Sequence, residues 1–333
     1  ATEKHKFDLY HYSPKLRAAL ISSRRDLVER YWQYSKEERK VLEDCLRPDG
    51  VLFRPISVLS DSDWNRARAE GSQDFQSFFS NPYRSSPSKG HHTIYIQTIG
   101  WFTHRPVCGM VAALCGSFYY GLVVKTLPPV TVQSTGCTFR VNSYSHNLQL
   151  YSGDLLRFLN KRKLKDAFCI VGITMIHLYP KDVISARTEG LYLATGMGVF
   201  SFARYDDNFY RHNYAGRLKK LSNCTYCTYQ VIKHIVVSHE IGHMFGLKHC
   251  QWLQCVMQGS DHLEESDRHP LSLYPICLWK LQSSVGFKIT DRYKALLQWV
   301  DDDGGSVGEQ AVKPTEAFQE YKQWLLRCLT MLE

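Results

Sequence analysis

The chain lacks a long apolar run, an acidic surplus and an even set of cysteines, and each shortage removes a class of protein. Its longest stretch without a charged residue, Pro106 to Val124, covers 19 residues and is interrupted by Gly109, Gly116 and Gly121. A membrane helix needs about 20 continuous apolar residues. A buried helix followed by a β-strand, jointed at FYYG, is the expected reading, with no membrane span. The opening residues, ATEKHKFDLYHYSPK, contain no apolar core of the kind that marks a secretory leader. The 11 cysteines are odd in number, and Cys108, Cys115 and Cys169 sit inside apolar runs. That usage suits reduced thiols and an intracellular setting, cytoplasmic or nuclear, rather than a disulfide framework.

Asp and Glu total 32 against 41 Lys and Arg, a net charge of +9. The surplus raises the question of nucleic acid. Its densest patches, KRKLKDA (Lys161 to Ala167) and RLKKL (Arg217 to Leu221), carry no interleaved aromatics and no nucleic-acid-binding motif. They read as a solvated helix end and a loop, so no nucleic-acid partner is expected, although the charge can favour acidic peptides.

What is present is concentrated in HEIGHMFGLKH, residues 239 to 249. His239 and His243 are four apart, so on a helix both imidazoles leave one face and can grip one ion. Gly246 follows one turn later, where a helix can end in a left-handed conformation that glycine adopts cheaply. The chain can then double back and bring up His249. Three neutral imidazoles leave one position of a tetrahedral zinc open for water. Glu240 is the natural general base for that water as it attacks a carbonyl. His234, five residues before His239, falls on a different face and reads as structural.

The run continues CQWLQCVM, giving Cys250, Cys255 and Met257. This extended string resembles the metzincin clan of zinc peptidases, in which a methionine turn follows the long histidine motif. A cysteine directly after the third histidine, another five residues on, and then Met257 make it similar to one branch, the archaemetzincins. The resemblance extends through TIYIQTIG, CTFRVN, DAFCIVGITMIHLYP, GVFSFARY and HLEESDRHPLSLYPICLWKLQ, roughly residues 93 to 300.

The resemblance implies zinc as cofactor, a peptide as substrate and aminopeptidase-like action on small neutral peptides. It also implies Met257 as the turn methionine, and substrate binding by the main chain of an edge strand around Val199, Phe200 and Ser201. An interior strand is the other reading of that segment. The family pattern ends in a Cys-x-x-Cys that completes a second, structural zinc with the earlier two cysteines. Here Cys277 is present but position 274 is Tyr274, and a phenol is a poor fourth ligand. Three outcomes stay open for Cys250, Cys255 and Cys277: a Cys₃His site using His269 or His262, a weak site completed by water, or plain packed thiols. A separate pair, Cys224 and Cys227, has no second half nearby and reads as loop thiols. The tyrosine that some metzincins carry two residues after the methionine is absent, since position 259 is Gly259.

The expected fold is α/β: a metzincin-like mixed twisted sheet, a long active-site helix from about Tyr229 to Phe245, a methionine turn and a helical C-terminal subdomain. Residues 1–92 read as a helical and loop extension, with a Ser13-Pro14 helix start, a capping box at Ser35 and Glu38, and a loop or partly disordered link over 60–92. Residues 93–300 form the catalytic region, its upper part ending near 246. Residues 301–333 give a polar linker and an amphipathic helix from about Thr315 to Leu332. The rival function is a zinc-binding scaffold with little turnover, which the altered cysteine site would suit and the intact Glu240 argues against. The sequence gives no oligomeric state.

Overall fold

A computed structural model describes residues 14–68, 70–100, 105–179, 195–205, 209–210, 213, 236–303 and 316–333. Ser13, RLKKL, Cys224, Cys227, Tyr229 and His234 lie outside the described residues. The chain divides into two compact units. One comprises Ser85–Met244 with Trp299–Thr315, the other Ala1–Arg84, Phe245–Gln298 and Glu316–Glu333.

The first unit is built on a four-stranded sheet in the order β2-β1-β5-β7, all neighbours parallel. Its strands are β1 (Thr93–Ile99), β2 (Val123–Val130), β5 (Ala167–Thr174) and β7 (Met197–Ser201). The apolar run AFCIVGIT becomes β5, buried at every position, as an interior strand covered on both faces must be. β1 is also buried throughout, so the alternation in HTIYIQTIG does not mark a water-facing side. Its Gln97 is tolerated there because Nε2 donates to the Pro128 and Thr98 carbonyls at 2.8 and 3.0 Å.

The uncharged 106–124 stretch forms the helix Arg105–Phe118 and the start of β2, the helix and strand expected of it, and together they make a parallel crossover from β1. Among the described residues no helix is long and apolar enough to cross a membrane. A smaller mixed sheet has the order β3-β4-β6, from β3 (Phe139–Val141), β4 (Leu148–Tyr151) and β6 (His177–Tyr179). β3 is antiparallel to β4, and β4 is parallel to β6. The helix Ser152–Arg162 packs on β5 and β7.

The helix Val236–Met244, which carries His239, Glu240 and His243, packs against Arg105–Phe118, β5 and β7. Tyr119 Oη donates to the Ser238 carbonyl at 2.7 Å and fixes it one residue before the first histidine.

The second unit is helical. The expected capping box is present at Ser35 and Glu38 and opens Lys36–Glu43. Trp279, on the helix Pro275–Val285, stacks on Phe75 with ring centroids 3.4 Å apart and meets Tyr31 and Tyr34 edge-on. The terminal helix Glu316–Leu332 packs on Lys36–Glu43, and Trp324 Nε1 donates to the Leu52 carbonyl at 2.7 Å.

The 60–92 stretch, expected as a loop or link, contains the short helices Trp64–Ala67 and Phe75–Phe79. It is tied down by Asp63, whose side chain is 1% exposed. Asp63 Oδ2 accepts from Leu59 N at 2.8 Å and Arg268 Nη2 at 2.7 Å, and Oδ1 accepts from His262 Nε2 at 3.0 Å. Burial pushes this carboxyl up, but the Leu59 amide, Arg268 and His262 together outweigh it and hold it at about 2. A carboxyl depressed in this way adds stability above its unfolded value of about 3.9, and loses it as pH falls through about 2. Asp63→Asn is therefore expected to cost about 2 kcal/mol near neutrality. Denaturant unfolding at pH 7 and at pH 3 checks this, since the deficit of the variant should shrink at the lower pH.

Candidate metal centre

Two of the motif histidines are placed by the helix and the third by a reversal of the chain. The Nε2 atoms of His239 and His243 stand 3.0 Å apart with their rings at 82°. Two imidazole nitrogens bound at about 2.05 Å to one tetrahedral ion would stand about 3.3 Å apart, so these two already sit at ligand spacing. His249 joins them: one ring nitrogen from each of the three lies within 4.8 Å of the others. The donor set, three half-buried imidazoles, suits zinc. Burial pushes His249 down to about 4, which leaves it neutral and able to ligate at physiological pH.

Between His243 and His249 the backbone must leave the helix and turn. Gly246 does so at φ 93°, and a Cβ there would lie 3.1 Å from Arg84 Cα, so both conformation and space require glycine. The polar groups released at the helix end are taken up by Gln73. Its Nε2 donates to the Gly246 carbonyl at 3.1 Å, and its Oε1 accepts from Lys248 N at 3.0 Å. Lys280, buried, donates through Nζ to the Gln73 carbonyl at 2.5 Å and to Oε1 at 3.0 Å.

His249 is flanked by Trp64, edge to face at 4.7 Å, and by Glu70, whose Oε2 accepts from Nδ1 at 2.9 Å. A Cβ on Gly259 would fall 2.6 Å from the Trp64 indole, so the space beside the absent tyrosine is filled by this tryptophan. Gln73, Glu70 and Trp64 were not foreseen. They stand about 175 residues from the motif in a polar stretch without periodicity, and nothing in a single sequence marks them.

Cys250, Cys255 and Cys277 also converge, all buried, with their sulfurs within 4.8 Å of one another. Cys255 Sγ accepts from the Met257 and Tyr274 amides, both at 3.4 Å. The Met257 carbonyl accepts from Cys250 N at 2.7 Å. Among the described residues neither His262 nor His269 belongs to this group. His262 is committed elsewhere, its Nε2 to Asp63 and its Nδ1 to the Glu265 amide at 3.3 Å. Tyr274 precedes the helix Pro275–Val285 as its N-cap, with Cys277 in the first turn. Its phenol is fully buried beside the Cys45 thiol, and burial pushes it well above its ordinary range. A phenol held protonated is not a ligand, so the described residues supply three thiols without a fourth donor.

Val199, Phe200 and Ser201 lie on β7, which takes the last place in the strand order among the described residues. Ser201 Oγ donates to the Ile176 carbonyl at 2.8 Å.

A mixed α/β fold that carries the long three-histidine motif defines a zinc metallopeptidase. The chain belongs to the archaemetzincins: the model of Peptidase family M54 matches residues 124–283, and the sequence relatives span nearly its whole length. Archaemetzincin-2 of Homo sapiens is 44% identical over 97% of this chain and 98% of its own. Archaemetzincin-1 of Homo sapiens is 33% identical over 87% of this chain and 63% of its own. The crystal structure of archaemetzincin from Archaeoglobus fulgidus is 22% identical, covering 56% of this chain and 99% of that one, with a TM-score of 0.37.

Supplying the missing thiolate should alter the metal count. The parent protein is expected to retain one zinc per chain after dialysis, and Tyr274→Cys to move toward two, read by elemental analysis. Two zincs already in the parent would show that three thiols suffice.

Proposed function

We propose that His239, His243 and His249 hold a single catalytic zinc and that Glu240 is the general base of peptide hydrolysis. The observation that carries this reading is the convergence of three imidazole nitrogens within 4.8 Å, directly beside a carboxylate in the sequence. His239, His243 and His249 would hold the zinc, which would supply a water of pKa about 7 and Lewis-acid polarisation of the scissile carbonyl. Glu240 takes the proton of the attacking water and delivers it to the departing amine. A zinc ligand must be a neutral imidazole, and the half-buried His249, pushed down to about 4 by its burial, is suited to that.

Met257 is the turn methionine of this reading. It is fully buried, and its carbonyl is bound to Cys250 N, next in sequence to the third ligand. Substrate lies along β7 and pairs with the main chain at Val199, Phe200 and Ser201, for which the terminal place of β7 in the sheet is the support. The catalytic region spans 93–300, and the extension before it contributes Trp64 and Glu70 beside His249 and Gln73 at the preceding turn. By likeness to the family, the substrate class is small neutral peptides cleaved from the amino end, in an intracellular setting.

Glu240→Ala should leave zinc content and folding intact while kcat/KM for a peptide substrate drops by about 10²- to 10⁴-fold. A variant as active as the parent would remove Glu240 from the mechanism, and a parent that binds zinc without turnover would favour the scaffold. Acetylating the N-terminus of a cleaved peptide separates the two modes of attack. The aminopeptidase reading expects cleavage to stop, whereas an endopeptidase would continue.

A further inference from the structure

A metal-binding imidazole is set by what its second nitrogen does. When that nitrogen donates to a carboxylate, the tautomer and ring direction of the ligand are both fixed. His249 has such an arrangement. Its Nδ1 lies 2.9 Å from Glu70 Oε2, and because an ionised carboxylate only accepts, this contact assigns the proton of the neutral ring to Nδ1 and the lone pair to Nε2. Trp64 closes another side of the ring at 4.7 Å, in space that Gly259 leaves open.

These two side chains are themselves held. Trp64 N donates to Glu265 Oε1 at 2.8 Å, and Glu265 Oε2 accepts from Asp261 N at 2.9 Å. Arg68 binds Asp261 through both Nε and Nη2, at 3.2 and 3.0 Å, with its guanidinium 4.9 Å above the Trp64 ring. Asp63, one residue before Trp64, is the buried acceptor of Arg268 and His262. The cluster of Asp63, His262 and Glu265 could be taken for a third metal site. Its Asp63–His262 pairing, the Arg268 bond and the amides on Glu265 occupy those donors and acceptors in a brace instead.

We infer that Glu70 is a positioning residue for the zinc ligand His249, and that the short segment carrying Asp63, Trp64, Arg68 and Glu70 supports the metal centre through those four side chains. The segment lies outside residues 124–283, which the family model matches. The inference rests on the reading of the three histidines as zinc ligands. The Glu70 side chain is 38% exposed, so its bond to His249 adds little to folding stability. Its effect falls on the ligand.

The test is zinc affinity of the full chain, by competition with a chromophoric chelator. Glu70→Ala should weaken zinc binding by about 10- to 100-fold, with the melting temperature of the metal-free protein unchanged. Glu70→Gln, nearly isosteric, should show a smaller loss, because its amide oxygen still accepts the Nδ1 proton, and it carries the test if the alanine variant does not fold. The visible absorption of the cobalt-substituted protein should shift in both variants, which a merely structural role would not produce. In Arg66→Ala, on the same segment but directed at exposed Asp61, neither affinity nor spectrum should change. His239→Ala separates the two levels of inference. Zinc binding that survives it overturns the histidine centre itself, whereas binding that needs His239 but is indifferent to both Glu70 variants overturns the role of Glu70 alone.

Discussion

A helix can present two imidazoles from one face, but a third ligand for the same ion must come from a chain that has left the helix and returned. The reversal over 245–249 is the constraint on which the proposed metal centre depends. Gly246 supplies the conformation, φ 93°, that would cost a residue with a side chain about 1–2 kcal/mol. Arg84 occupies the space where a side chain would go. Gln73 then satisfies the Gly246 carbonyl and the Lys248 amide with one side chain. Both bonds are part-buried, so each contributes about 0.5–1.5 kcal/mol that an unpaired group would forgo. Lys280 anchors Gln73 in turn, and its ammonium is lodged where burial pushes it down from its ordinary value. A buried lysine is tolerable here because the carbonyl and amide oxygens of Gln73 replace part of its hydration.

The segment from Asp63 to Gln73 therefore serves the motif twice, once at the turn and once at His249. Rigid support matters because ligand geometry tolerates little error, and a side chain on a loose segment would lose more in ordering entropy than one bond returns. Asp63, with three partners at 2.7 to 3.0 Å, supplies that rigidity. The indole of Trp64 fills space that only glycine at 259 leaves open. The two positions are linked, since a side chain at 259 and the present Trp64 cannot coexist without movement.

Local chemistry was legible in the sequence and distant chemistry was not. The His239–His243 pair, the glycine turn and the Ser35–Glu38 capping box all depend on neighbours within a few residues, where spacing maps directly to geometry. Glu70, Gln73 and Trp64 act on residues 173 to 201 positions away. Single polar side chains in an aperiodic stretch carry no pattern, so that stretch read as a link. The full burial of β1 has no signature in the sequence for a related reason. Alternation in a sequence reports polarity, while burial depends on what covers the second face, and Gln97 shows that an interior strand admits a polar residue when carbonyls are in reach. For the cysteines the sequence offered His262 as a substitute ligand. Its engagement by Asp63, 199 residues away, is what removes it.

Among the described residues the three thiols have no fourth donor, which raises the question of how the cysteine loop keeps its shape. The answer lies in the backbone. The Tyr274 amide still donates to Cys255 Sγ, as the Met257 amide does, so the main-chain cradle of that sulfur does not require a cysteine at 274. The Cys250 amide is bound by the Met257 carbonyl, which closes the loop from the other side. The phenol ring meanwhile fills core volume, edge-on to Phe53 at 6.2 Å. Hydrogen bonds and packing thus hold this loop, which begins one residue past His249. The position of Met257 relative to the third histidine follows from main-chain bonds that any residue at 274 except proline could make. A tyrosine at 274 is therefore compatible with the main-chain arrangement that carries His249.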